Sequence, residues 1–353
     1  DTDCNDSNEN INTNATEIWY DGTDSDCDGA SDYDADSDGY DSEDYSGVDC
    51  DDSDASIYQD CSLYEFSTHT FTTCASTGRY GPSLADCQQS YSPTDNWDND
   101  PSFLNMNIQG IQLWTVPATG TYQIEVSGAG GGPILNYGGG YPGRGAYISG
   151  EFDLVQGDIL QILVGQKGDE ALRVGGPGGG SFVATSTDTP LIVAGGGGAA
   201  HDGDNDQGTA GYGNADATDS ENGQSGGNGG CAGGTNGNGG ANCGNPGGGG
   251  FYSDGGDSTR NSDAQGGGAF LNGGEGGNCT LNCYSNSGAG GFGGGGGTWH
   301  DYNPGGGGGY SGGGGGEGRA GGGGGSYNSG SNPSSQLGDN GNTGDGSVII
   351  TKL

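Results

Sequence analysis

Residues 288–325 read GAGGFGGGGGTWHDYNPGGGGGYSGGGGGEGRAGGGGG, and the state of this run decides the fold. Glycine loses more backbone freedom on folding than any other residue. Such a segment therefore either stays disordered or is held by a dense, cooperative lattice of hydrogen bonds. The 353-residue chain contains 87 Gly, is 28% hydrophobic and carries a formal net charge of -40, a composition that on its own favours disorder.

Working outward, the run is bracketed by apolar strands. GTYQIEVSG (120–128) alternates Tyr122, Ile124 and Val126 with Thr121, Gln123, Glu125 and Ser127, the period of a half-buried strand, behind a turn at Pro117 to Gly120. AYISGEFDL (146–154) and DILQILVG (158–165) follow, separated by Gln156 and Gly157 as in a hairpin. SFVAT (181–185) and PLIVA (190–194) are short and bounded by glycine or proline, and SVIITKL (347–353) supplies a terminal strand. Apolar residues thus tie down both ends of residues 195–346, which lowers the cost of ordering what lies between.

Glycine helices of the polyproline II type have three residues per turn and no internal hydrogen bonds, so their N–H and C=O groups must pair laterally. Without Cβ atoms, such helices approach closely enough for weak Cα–H···O bonds as well. A collagen reading is disfavoured by the 11 prolines and the missing G-X-Y period. Tyr252, Phe270, Phe292, Trp299, Tyr302, Tyr310 and Tyr327 are expected as anchors on the faces of the bundle.

The chemistry changes at the other end of the chain. Residues 1–65 hold no Lys or Arg and 22 of the 47 acidic residues, which marks a separate module that repels phosphates and anionic lipids and attracts divalent cations or basic partners. Asp34, Asp36, Asp38 and Gly39 form D-x-D-x-D-G, the front half of a calcium loop, in which alternate carboxylates converge on one ion. The twelfth position is Tyr45 rather than a bidentate Glu, so closure needs other acids, among Glu43, Asp44, Asp49, Asp51, Asp52 and Asp54. Asp24, Asp26, Asp28, Asp32 and Asp41 complete the candidate ligand set. A solvated acidic linker and a halophile-like surface are the competing readings.

The ten cysteines, Cys4, Cys27, Cys50, Cys61, Cys74, Cys87, Cys231, Cys243, Cys279 and Cys283, are even in number and closely spaced, which points to disulfides in an oxidising compartment, with a zinc site as the alternative. Cys74 and Cys87 are placed to close a loop. The chain opens at Asp1 without a Met and is read as a processed or excerpted secreted protein. Asn5, Asn14 and Asn278 lie in N-x-S/T sequons. No stretch has the roughly 18 apolar residues of a membrane span.

Catalysis is not expected. GxGxxG arises by chance in so glycine-rich a chain, and with Lys167 and Lys352 as the sole lysines there is no GxxxxGK[ST]. His69, His201 and His300 lie far apart without a nucleophile or zinc-protease motif. Acids packed as densely as those of the N-terminal module suit ions better than proton transfer in a sheltered pocket.

Two resemblances bear on these readings. YDGTDSDCDGASDYDADSDGYDS (20–42) and GVDCDDSDASIY (47–58) resemble metal-binding repeats related to the MopE copper-binding family and, loosely, thrombospondin type 3 repeats. That likeness implies a nearly helix-free, metal-stabilised structure with Asp side chains turned onto ions. GEFDLVQGDILQILVGQKGDE (150–170), GGGSFVATSTDTPLIVAGGGG (178–198), GGFGGGGG (290–297), GGGGGYSGGG (305–314) and GDGSVIITKL (344–353) are similar, in that order, to the glycine-rich extracellular domain of anaplastic lymphoma kinase and leukocyte tyrosine kinase. It implies a TNF-like antiparallel sandwich with inserted polyglycine II helices.

The expected organisation is therefore mainly β, with a calcium-binding module over 1–65, a disulfide-containing transition over 66–109 and the glycine-rich sandwich over 110–353. The expected role is an extracellular, non-enzymatic structural or adhesive protein that self-assembles into a fibre or layer. The alternative is an adhesin or receptor-like module that recognises a glycan or protein through Trp299, Tyr302 and Tyr310.

Overall fold

The computed structural model describes residues 4–5, 7–55, 62–91, 96–135, 142–200, 217–227, 230–241, 244–260, 264–278, 287–299, 303–317, 319–337 and 340–353. The chain divides into two compact units, Asp1–Leu63 and Tyr64–Leu353.

The larger unit is built on eleven strands among the described residues. They are β1 (Thr68–Phe71), β2 (Leu104–Ile108), β3 (Ile111–Thr115), β4 (Gly120–Ser127), β5 (Tyr147–Leu154), β6 (Ile159–Leu163), β7 (Ser181–Thr185), β8 (Pro190–Ala194), β9 (Tyr327–Asn328), β10 (Ser331–Gln336) and β11 (Ser347–Lys352). Two antiparallel sheets result, in the orders β1-β11-β4-β5-β10 and β2-β3-β6-β7-β8-β9. The alternation read in β4 sets its register: Tyr122, Ile124 and Val126 are fully buried and lie opposite Phe152, Gly150 and Ile148 of β5. The terminal strand slots between β1 and β4, with Val348 and Ile350 facing the same core. Trp114, Ile162, Val183 and Ile192 of the second sheet meet them. Each such side chain contributes about 1.5–3 kcal/mol on burial.

Two expectations need correcting. Residues 146–154 and 158–165 do not form a hairpin: β5 pairs with β4 and β10, whereas β6 pairs with β3 and β7. The turn at Gln156 and Gly157 crosses between the sheets beside the β3–β4 crossing, and the two are bonded by Gly157 N to Val116 O (2.9 Å) and Val116 N to Asp158 O (2.8 Å). Residues 66–109 are not a connector: they supply β1, which edges the first sheet, and β2, which edges the second. A short helix, α1 (Leu84–Ser90), opens with a capping box between Ser83 and Asp86 and is tied back by the Cys74–Cys87 disulfide.

The glycine segments lie against the outer face of the second sheet. β7 shows no alternation because both its faces are covered: Val183 enters the sandwich core, and Phe182 and Ala184 pack with Phe251, Phe270, Phe292 and Tyr310. Phe270 stacks on Phe182 at 5.2 Å and on Phe251 at 4.8 Å, which fixes the lattice to the sheet. Phe270 and Phe292 are thus anchors, as is Phe251, which the sequence reading passed over.

Within the lattice the hydrogen bonds address their neighbours with a period of three. Gly306 and Gly309 donate to Pro246 and Gly249, Gly307 donates to Gly322, and Gly308 donates to Gly178. Gly321 and Gly324 donate to Ala199 and Gly196, while Gly322 and Gly325 donate to Gly314 and Ser311. Returning to the same neighbour every third residue is the signature of three residues per turn. The pairing of Gly306 and Gly309 with Pro246 and Gly249 is parallel, whereas those of Gly321 and Gly324 with Ala199 and Gly196 and of Gly322 and Gly325 with Gly314 and Ser311 are antiparallel. Cβ atoms have no room here: one built on Gly321 would lie 1.9 Å from the carbonyl oxygen of Gly305.

The smaller unit has neither α-helix nor named β-strand among its described residues; its one helical element is a 3-10 turn at Glu43–Tyr45. Turns, the Cys4–Cys27 disulfide and hydrogen bonds that backbone N–H groups donate to its acids shape it.

Candidate metal centre

Three backbone bonds fold the acid loop back on itself. Ser42 N donates to Tyr33 O (2.8 Å), Asp49 N to Asp41 O (2.9 Å) and Glu43 N to Asp49 O (2.6 Å). They return Asp49 to the D-x-D-x-D-G string. Within that string Asp34 accepts from Asp38 N (3.1 Å) and, through its other oxygen, from Gly39 N (2.9 Å), and Gly39 takes the left-handed φ of 98° that the turn requires.

Asp36, Asp38 and Asp49 then repeat one local arrangement. In each, Oδ1 accepts from the backbone N–H two residues on: Asp38 N (3.3 Å), Tyr40 N (2.9 Å) and Asp51 N (3.0 Å). In each, Oδ2 is buried and accepts no hydrogen bond. One carboxylate oxygen from each of the three lies within 4.8 Å of the others, and Asp49 is 0% exposed. Buried anionic oxygens that face one another without donors are costly unless a cation joins them. The crowding shows in Asp36, whose carboxyl is pushed up by loss of water and then by the charge of Asp38, with Asp49 and Asp52 adding to it.

A second group, Asp34, Asp36 and Asp52, shares Asp36 with the first. Asp52 is held by Ala35 N (2.8 Å) and by the Tyr20 hydroxyl (2.7 Å). That bond to Asp52, followed by burial, drives the Tyr20 phenol up to about 12. Tyr45 occupies the place in sequence where a calcium loop would carry its last acid, and instead it stacks between Tyr20 and Tyr33, both at 5.0 Å. Of the six acids named to close the loop, the structure brings in Asp49 and Asp52. Glu43, Asp44 and Asp54 are exposed, and Asp51 accepts from Ser53 Oγ (2.7 Å).

Glu17, Asp24 and Asp26 form a third, more open group. Glu17, absent from the sequence-derived set, accepts from Ser25 N (2.9 Å) and Asp26 N (3.1 Å), and its spacing from the Asp clusters offers no signal by which to find it. Asp32 accepts from Gly22 N (2.5 Å) and keeps one buried oxygen without a donor, Asp28 accepts from Ala30 N (2.7 Å), and Asp41 takes part through its carbonyl. All ligand atoms in the three groups are carboxylate oxygens.

The remaining candidates fall elsewhere. Cys4–Cys27 and Cys74–Cys87 are disulfides, Cys50 and Cys231 are disulfide-bonded, and Cys61, Cys243, Cys279 and Cys283 lie outside the described residues. Tyr310 does not face outward as a recognition residue: it is buried and stacks on Tyr327 at 4.6 Å. Trp299 is part-buried and its backbone N–H donates to Asn303 O (3.1 Å), whereas Tyr302 lies outside the described residues, as do the sequon residues Cys279 and Thr280 after Asn278. No helix among the described residues is long and apolar enough to cross a membrane.

Comparison with known proteins adds two findings. Residues 3–33 and 49–61 match the Cu-binding MopE family, described as a "putative metal-binding motif". The chain is also similar to the leukocyte tyrosine kinase receptor of Mus musculus, 35% identical over 109 residues, which is 30% of this chain and 12% of the receptor. The Glu17 group and Asp49 and Asp52 fall within the matched motif, and Asp34, Asp36 and Asp38 fill the interval between its two segments.

Proposed function

We propose that this protein is an extracellular, non-catalytic binding module whose acidic unit is held in shape by calcium. The observation that carries the reading is the fully buried Asp49, whose Oδ2 accepts no hydrogen bond and one of whose carboxylate oxygens lies within 4.8 Å of oxygens of Asp36 and Asp38. An oxygen-only donor set suits a hard cation such as calcium, whereas copper and zinc favour imidazole or thiolate. The metal-binding motif supports the metal, and the receptor likeness supports an extracellular module that meets a protein or glycan.

Residues 1–65 are the calcium module in this reading, and residues 66–353 present the ligand-binding surface. We read the glycine segments as polyglycine II helices, on the strength of their three-residue hydrogen-bond period. Trp299 and the neighbouring Tyr302 are the aromatic residues proposed for recognition. Assembly through the β10 edge is disfavoured: all six residues of β10 are exposed, but Pro333 removes a donor from its centre and the register shifts there.

Calorimetric titration of the calcium-free full chain with calcium tests the reading. Saturable binding and a rise in the melting temperature of the acidic unit are expected. Absence of bound calcium by elemental analysis, with melting unchanged in excess chelator, would overturn it.

A further inference from the structure

Two consecutive strands part at one edge of the sandwich. β9 closes the second sheet and β10 the first, with only Ser329 and Gly330 between them. The chain changes sheets here, and a cleft of about 270 Å³ opens between β9, β10 and Ile148 of β5. Asn328 ties its sides together through Nδ2 to Ser149 O (2.8 Å). Residues 217–222 are pinned alongside, with Thr218 N donating to Gly324 O (3.1 Å) and Ser326 N to Ser220 O (2.8 Å). We propose that this preformed cleft binds one ring of a neutral sugar. The inference rests on the extracellular binding reading above and assigns glycan recognition to residues other than Trp299 and Tyr302.

The lining calls for a ligand that both gives and takes hydrogen bonds. Ser326 is 1% exposed and its Oγ accepts from Gly195 N (3.0 Å), but its own O–H meets no acceptor among the described residues. Asp219 accepts from Ser335 Oγ (3.3 Å) through Oδ2, which leaves Oδ1 for a donor. A buried O–H without an acceptor is costly, and a sugar oxygen supplies one while a neighbouring sugar hydroxyl donates to Asp219 in a charge-assisted bond. Ile148, Pro333 and Tyr327 add the apolar surface on which the C–H face of a ring packs, and Tyr327 is held by its stack on Tyr310 at 4.6 Å.

The same groups disfavour charged ligands. No Lys or Arg lines the cleft among the described residues, and Asp219 repels a sulfate, a phosphate or the carboxylate of an acidic sugar. A guanidinium or ammonium group has donors only, so it satisfies Asp219 and leaves Ser326 unpaired. The volume falls just below the roughly 300–1,000 Å³ of small-molecule sites, which suits a single ring.

An array of neutral, sialylated and sulfated glycans probed with the calcium-loaded full chain tests the site, followed by calorimetric titration of the neutral oligosaccharide that binds best. Binding confined to uncharged glycans is expected. Affinity is expected to fall at least tenfold in Asp219→Ala and in Ser334→Trp, which fills the cleft, and to be unchanged in Trp299→Ala. Asp219 and Ser334 are exposed, so an unshifted melting temperature separates lost binding from lost fold. Loss of binding in Trp299→Ala with Asp219→Ala unaffected overturns the cleft and leaves the extracellular binding reading intact. Binding of acidic glycans alone, of arginine amide in place of sugar, or of no glycan at all overturns the cleft, while the calcium titration above decides the metal reading independently.

Discussion

At Asp49 a single oxygen decides between two states of the acidic unit. Its Oδ1 accepts from Asp51 N, and its buried Oδ2 has no donor although the carboxylates of Asp36 and Asp38 are close by. Asp49→Asn keeps the first interaction and replaces the second oxygen by an NH₂ group that donates to Asp36 and Asp38. The expected outcome is opposite in sign with and without metal. In chelator, the variant melts higher by an amount equivalent to about 1–3 kcal/mol, since repulsion is exchanged for hydrogen bonds. In calcium, its affinity falls at least about tenfold, the equivalent of ~1.4 kcal/mol. Melting curves in both conditions check it, and a variant less stable in chelator would contradict the assignment of Oδ2.

Among elements, the glycine lattice and the ordinary turns respond differently to the same substitution. Gly321→Ala puts a methyl 1.9 Å from a backbone oxygen held in the lattice, and a loss of more than ~3 kcal/mol is expected because no flexible side chain can yield. Gly157→Ala meets nothing within 4 Å but must hold a φ of 83°, and about 1 kcal/mol is expected. Denaturant unfolding of the two variants measures the contrast.

Strand identity was legible in β4, where Tyr122, Ile124 and Val126 point inward between polar neighbours, but not in β1, β2 or β10, whose exposed residues do not alternate regularly with buried ones. It was less so in β7, which is buried on both faces and has no period to read. Pairing of residues 146–154 with 158–165 was misread because local sequence does not say that a turn changes sheets. In the acidic unit the D-x-D-x-D-G string was readable, but which distant acids close it depends on how residues 41–49 return. Tyr20, which bonds Asp52 32 positions away, and Glu17, which folds onto Ser25 and Asp26, carried no local signal. Phe251 was missed because a buried stack and an exposed loop aromatic look alike beside glycine.

At the scale of the whole molecule, the two units draw on different sources of stability. The larger has an apolar core and an extensive backbone hydrogen-bond lattice, while the smaller has turns, a disulfide and converging acids. Chelation is therefore expected to quicken amide exchange in residues 7–55 and to leave β4, β6 and β7 unchanged. Hydrogen-exchange mass spectrometry reads both units in one experiment, and equal acceleration in the two would contradict the division.

The three-residue period of the lattice also imposes a reading frame on its length. A segment that returns to the same neighbour every third residue rotates each N–H by about a third of a turn when one residue is lost. Every donor beyond the deletion then points at the wrong segment. A segment shortened or lengthened by three keeps every address. Length changes in these segments are thus tolerated in threes, a rule familiar from codons and here enforced by hydrogen-bond direction.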